Sequence, residues 1–190
     1  MILKRLWNWI RQPSTRWSAG ALLVAGGLTT MLAWGGFNTA MDMTNTTAFC
    51  VSCHEMNQLV HQEYKQSAHF SNASGVRAGC PDCHVPREWG RKILRKIRAS
   101  AEVYASLTGK INTPEKFEAH RLEMAERVWK EMTENNSQEC RNCHSYDAMD
   151  IHKQSQRAQE KMKDGRLKNK PCIECHKGIS HKKPEVERDD

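Results

Sequence analysis

The sequence predicts a mainly α-helical chain with a single N-terminal membrane-crossing helix and little or no β-sheet. Three observations carry this. Residues 17–41 hold no charge. Later segments repeat apolar residues at spacings of three and four, the period of a helix. The third is a five-residue pattern that occurs four times: Cys50-Val-Ser-Cys53-His54, Cys80-Pro-Asp-Cys83-His84, Cys140-Arg-Asn-Cys143-His144 and Cys172-Ile-Glu-Cys175-His176.

These four motifs use all eight cysteines of the chain. Cys-x-x-Cys-His is the signature of c-type haem attachment. The two thiols add across the haem vinyl groups, and the adjacent histidine lies beneath the iron. Structural zinc sites vary more in spacing and seldom put histidine directly after the second cysteine. A disulfide framework has no use for the histidines. The fold class is therefore a multihaem cytochrome c: a transmembrane helix plus a haem-cored domain of two dihaem units.

The chain has 190 residues, and 38% of them are hydrophobic. Its mean hydropathy is −0.75 even with the apolar stretch included. What remains is too polar for a large side-chain core, and four haems would supply the missing apolar surface. The net charge of +7 does not point to nucleic acid, because no helix-turn-helix, RNA-binding or finger signature is present. A membrane surface fits it better.

Residues 1–16 carry Lys4, Arg5, Arg11 and Arg16 and no acid. From Trp17 to Phe37 the 21 residues would span about 31 Å as a helix, enough for a bilayer core. Trp17 stands at one end and Trp34 with Phe37 at the other, as in an aromatic belt. A cleaved signal peptide ending near Ala40 is the alternative, but the apolar run is long for one. The basic flank places residues 1–16 in the cytoplasm, 17–41 in the inner membrane and 42–190 in the periplasm.

The motif spacings suggest a repeat. Cys50 to Cys80 is 30 residues, Cys140 to Cys172 is 32, and Cys80 to Cys140 is 60. Two dihaem halves, about 42–110 and 111–190, are expected. Between them, Trp89, Ile93, Ile97 and Tyr104 fall on one face of a helix rich in arginine and lysine, which reads as lying on a membrane. A second helix opens at Thr113-Pro114, with threonine as N-cap and proline at the first position. Its apolar stripe is Phe117, His120, Met124, Val128 and Met132, so His120 points inward.

The motif histidines His54, His84, His144 and His176 are the proximal candidates. Of the remaining five, His69, His120 and His181 are placed to bind iron, and His61 and His152 read as surface residues. Imidazole on both sides gives a low-spin, electron-transferring iron. Motif one continues to Met56, and either His54 or Met56 can serve that iron.

The anchor, the four motifs, Cys53-His54-Glu-Met56, Phe117-Glu-Ala-His120-Arg, Asn136-Ser-Gln-Glu-Cys140 and Cys175-His176-Lys-Gly-Ile-Ser-His181 together resemble the NapC/NirT family of membrane-anchored tetrahaem quinol dehydrogenases. The likeness is greatest to the NapC branch, which feeds a periplasmic nitrate reductase. Related branches feed nitrite reductases or several partners. The resemblance implies quinol oxidation beside the first haem, with Glu102 and Lys96 as the matching carboxylate and lysine. It also implies that His69, His120 and His181 are distal ligands, paired with the haems of motifs four, two and three respectively.

Overall fold

The computed structural model describes residues 2–10, 13 and 15–185, and for residues 6, 9 and 10 the backbone alone. Arg11 and residues 186–190 lie outside the described residues. The chain divides into two compact units, residues 1–44 and 45–190.

The first unit holds α1 (Ile2–Ile10) and α2 (Ala19–Met43). Helix α2 starts two residues later than the uncharged stretch. Ser18 is its N-cap and accepts a hydrogen bond from the Ala21 N–H at 3.2 Å. At 25 residues it is about 37 Å long. It buries none of its residues, and Leu23, Met31, Leu32 and Trp34 are all exposed. Such a surface is stable only against lipid or another apolar partner. Among the described residues this is the one helix long and apolar enough to cross a membrane.

The second unit is entirely helices, turns and loops, with no strand among the described residues. Helix α3 (Thr47–Cys50) ends in motif one. A π-helical turn, Met56–Val60, runs into α4 (His61–Lys65). Helix α5 (Cys80–His84) is motif two itself. Helix α6 (Trp89–Leu107) and α7 (Pro114–Glu134) form the connector. Helix α8 (Gln138–Arg141) enters motif three, α9 (Gln156–Leu167) follows it, and a 3₁₀ turn at Cys172–Glu174 carries motif four.

Local chemistry fixes the connector. Helix α6 stops where Gly109 takes φ +77. The Lys110 N–H then reaches the Ala105 carbonyl at 2.9 Å, which is the reach of a Schellman cap, and glycine enters that left-handed position without strain. Helix α7 opens as the sequence predicts, with the Lys116 N–H donating to Thr113 Oγ1 at 3.3 Å and Pro114 at its first position.

The outward face of α6 holds three of the four expected residues, Trp89, Ile97 and Tyr104, together with Leu94, Val103 and Leu107, while Ile93 is half-buried. Arg95 and Lys96 are the residues that face the motifs.

The core of residues 45–190 is small. Its described buried apolar side chains are Tyr64, Ile111, Phe117 and Ile173. Four such side chains cannot by themselves offset the ordering of a unit this size. The unit is built to close around something else that is large and apolar.

Candidate haem and quinol sites

The four motifs lie beside one another in chain order. Helix α3 packs on α5, α5 packs on α8, and α7 packs on the motif-four turn. The cysteines report the same contacts. The Cys50 and Cys80 thiols are hydrogen-bonded neighbours. Burial pushes the Cys83 thiol up to about 11, with Cys140 and Cys143 among its neighbours. Burial likewise pushes Cys140 up to about 11, with Cys172 beside it. All eight cysteines are free thiols rather than disulfides.

The histidines pair across this row. The ring of His181 faces that of His84, with centroids 6.1 Å apart. The ring of His69 faces that of His144, also at 6.1 Å. Two imidazoles sharing one iron should stand about 6 Å apart, taking about 2 Å for each metal–nitrogen bond and about 1 Å from nitrogen to ring centre. Burial favours the neutral form of three of these rings, as ligation requires. It pushes His84 down to about 4, assisted by His181 and Arg95, and lowers His69 and His181 as well. His69 Nδ1 is buried with no partner. The residues present therefore fit haem: paired imidazoles, free thiols in attachment spacing, and an apolar core too small without it.

These pairs correct the expected pairing. His181 belongs with motif two rather than three, and His69 with motif three rather than four. Chain order could not show this, because the C-terminal segment folds back across 119 residues to donate the Lys182 N–H to Glu63 at 3.0 Å. Just past His181, Lys182 is held there and Pro184 is buried.

Each distal candidate is held by its neighbours. Phe70 packs edge-on against Tyr64 at 5.3 Å, and the Ala78 N–H donates to the His69 carbonyl at 3.0 Å. His120 Nδ1 lies 2.8 Å from the Lys116 carbonyl. A carbonyl only accepts, so Nδ1 carries the proton and Nε2 keeps its lone pair for a metal.

His54 is different. Its Nε2 lies 2.8 Å from the Asn112 carbonyl, and its Nδ1 lies 3.1 Å from Glu55 Oε2. A carbonyl only accepts, so Nε2 carries a proton and is turned to Asn112. Met56, two residues on, opens the π-helical turn, a local feature frequent at functional sites.

Lys96 and Glu102 share α6. Burial lowers the Lys96 pKa, with Cys50 opposing and Lys92 and Arg95 adding, which places Lys96 at motif one. Glu102 forms a two-point ion pair with Arg95, at 3.0 and 3.2 Å. Arg95 also donates from Nε to the His84 carbonyl at 3.2 Å. Arg95 is the residue the sequence reading passed over. It looked like one cation among many, and its spacing of seven from Glu102, two helical turns, was the available signal. His61 bonds Asn57 at 3.2 Å and His152 is exposed, in keeping with surface roles.

Comparison with known proteins gives the family. The model of the NapC/NirT cytochrome c family, N-terminal region, matches residues 12–186. The chain is 53% identical over 186 residues to the cytochrome c-type protein NapC of Escherichia coli K12, covering 97% of this chain and 92% of that protein. It is 51% identical over 176 residues to the denitrification system component NirT of Stutzerimonas stutzeri, covering 93% and 88%. It is 49% identical over 185 residues to the cytochrome c-type protein TorC of E. coli K12, covering 97% of this chain but 47% of that longer protein. No solved structure matches. A chain matched over nearly its whole length, with a membrane-length helix and four attachment motifs, belongs to the NapC/NirT cytochrome c family, whose members are electron-transfer cytochromes with covalently bound haem.

Proposed function

We propose that the protein is a tetrahaem quinol dehydrogenase of the bacterial inner membrane, with residues 1–16 cytoplasmic and 42–190 periplasmic, that passes electrons to a periplasmic reductase. The observation that carries this is the contiguous row of four motifs with facing imidazoles. Bound haem supplies one-electron carriers. The chain attaches them through Cys50, Cys53, Cys80, Cys83, Cys140, Cys143, Cys172 and Cys175. His84 with His181 and His144 with His69 hold two irons, and His176 with His120 holds a third. Met56 would serve the motif-one iron, because His54 turns its Nε2 to Asn112.

Quinol oxidation is placed at motif one, beside α6. Lys96 holds a quinol oxygen and Glu102 accepts a proton. The exposed stripe Leu94, Ile97, Tyr104 and Leu107 lets this helix meet the lipid in which quinol is dissolved. The acceptor is the periplasmic nitrate reductase, by likeness to the protein named NapC.

A passive carrier without a quinol site is the second reading, favoured by the Arg95–Glu102 ion pair, which would be broken to free the carboxylate. Rapid mixing of the detergent-purified protein with quinol separates the two. Fast haem reduction, slowed in Glu102→Ala at unchanged haem content, is the expected result. Reduction by dithionite but not by quinol would select the passive carrier.

A further inference from the structure

One buried cation of the second unit belongs to no motif. Arg121 is 8% exposed. It clasps Glu63 with two bonds, Nη1 to Oε2 at 3.0 Å and Nη2 to Oε1 at 2.8 Å. It also bonds Glu118 through Nε at 2.6 Å and Nη2 at 2.7 Å. Two carboxylates thus face one guanidinium, with Lys182 also close enough to act on Glu118. A buried ion cluster of this kind is poor value for stability alone, since apolar residues of similar volume often do as well.

Its position supplies a reason. Glu63 Oε2 also accepts the Lys182 N–H at 3.0 Å and lies 3.9 Å from Nδ1 of His181. Besides Glu63, His181 is faced by His84, Arg121 and the Val60 backbone. The carboxylate is thus fixed on the far side of the ring that opposes His84. Groups placed behind a ligating histidine set its orientation and its electron donation to the metal. A negative charge there favours the more positive, oxidised iron.

We propose that Glu63, clamped by Arg121, is a positioning residue for the His84–His181 pair, and that its charge lowers the reduction potential of the iron those rings share. This rests on the haem reading above. Glu63 touches neither iron nor quinol and acts through His181.

The test is a spectropotentiometric titration of the full-length protein in detergent, after haem is counted by the pyridine haemochrome method. Fewer than four haems in the wild type would defeat the haem reading itself. With four present, Glu63→Gln is expected to raise one midpoint potential while the spectrum remains low-spin. Glu118→Gln removes the same charge from a side chain that is 51% exposed and not beside His181, and is expected to move that midpoint less. No shift in Glu63→Gln, or an equal shift in Glu118→Gln, would overturn the proposal. Loss of a haem in both Glu63→Gln and Glu63→Asp would also overturn it, since Glu63 would then be a folding residue only.

Discussion

The two motif pairs use one device in two ways. Thr47 stands three residues before Cys50, and its Oγ1 accepts the Cys80 N–H of motif two at 3.2 Å. Ser137 stands three residues before Cys140, and its Oγ accepts the Ile173 N–H of motif four at 3.1 Å. In each half a hydroxyl at the same offset staples the earlier motif to the later one. The surroundings differ. Thr47 is half-buried on an ordinary helix. Ser137 is fully buried and left-handed at φ 52, directly after Asn136 at φ 55. Strained backbone of this kind persists only where its surroundings over-determine it. The second pair is therefore the more tightly fixed, and in the first the motif histidine turns its Nε2 to Asn112. Equal spacing in sequence does not impose equal sites.

The harshest way to break this comparison is to express the chain without haem attachment. Each half has few core side chains of its own: Tyr64 in the first, and Ile111, Phe117 and Ile173 in the second. Limited proteolysis is expected to find no resistant fragment. Survival of residues 111–185 alone would show that the second half holds itself together without haem.

The ligand difference comes next in size. Met56→Ala should abolish the thioether-to-iron absorption and lower one haem potential, whereas His54→Gln should leave both unchanged. The reverse pattern, in optical spectra of the purified variants, would restore His54 as the ligand and remove the asymmetry.

The staples themselves should differ in strength. Ser137→Ala leaves a buried N–H unpaired at Ile173, at a cost of about 1–3 kcal/mol. Thr47→Val loses a hydrogen bond with water nearby, at a cost of about 0.5–1.5 kcal/mol. Denaturant unfolding followed at the haem absorption band measures both. Equal losses would mean that burial at Ser137 adds nothing.

Gly79→Ala is the smallest and sharpest probe. A methyl there would stand 2.8 Å from Thr47 Oγ1, so the first staple must shift. We expect a loss comparable with that of Thr47→Val, and the double variant should cost little more than either single one, because the sites share one contact.

Much of this protein is local and therefore legible from residue order. The four attachment motifs are five-residue signatures whose chemistry needs only their own atoms. The anchor follows from an uncharged run, and α7 from a threonine cap, a proline and an apolar stripe. The family follows from the same motifs. Tertiary structure alone decided what depends on distant segments meeting. His181 reaches His84, and not motif three, because Lys182 docks on Glu63 far back in the chain. His54 turns its Nε2 to the carbonyl of Asn112, 58 residues away. Each of these is a competition among groups far apart in sequence, settled by packing that no local pattern encodes.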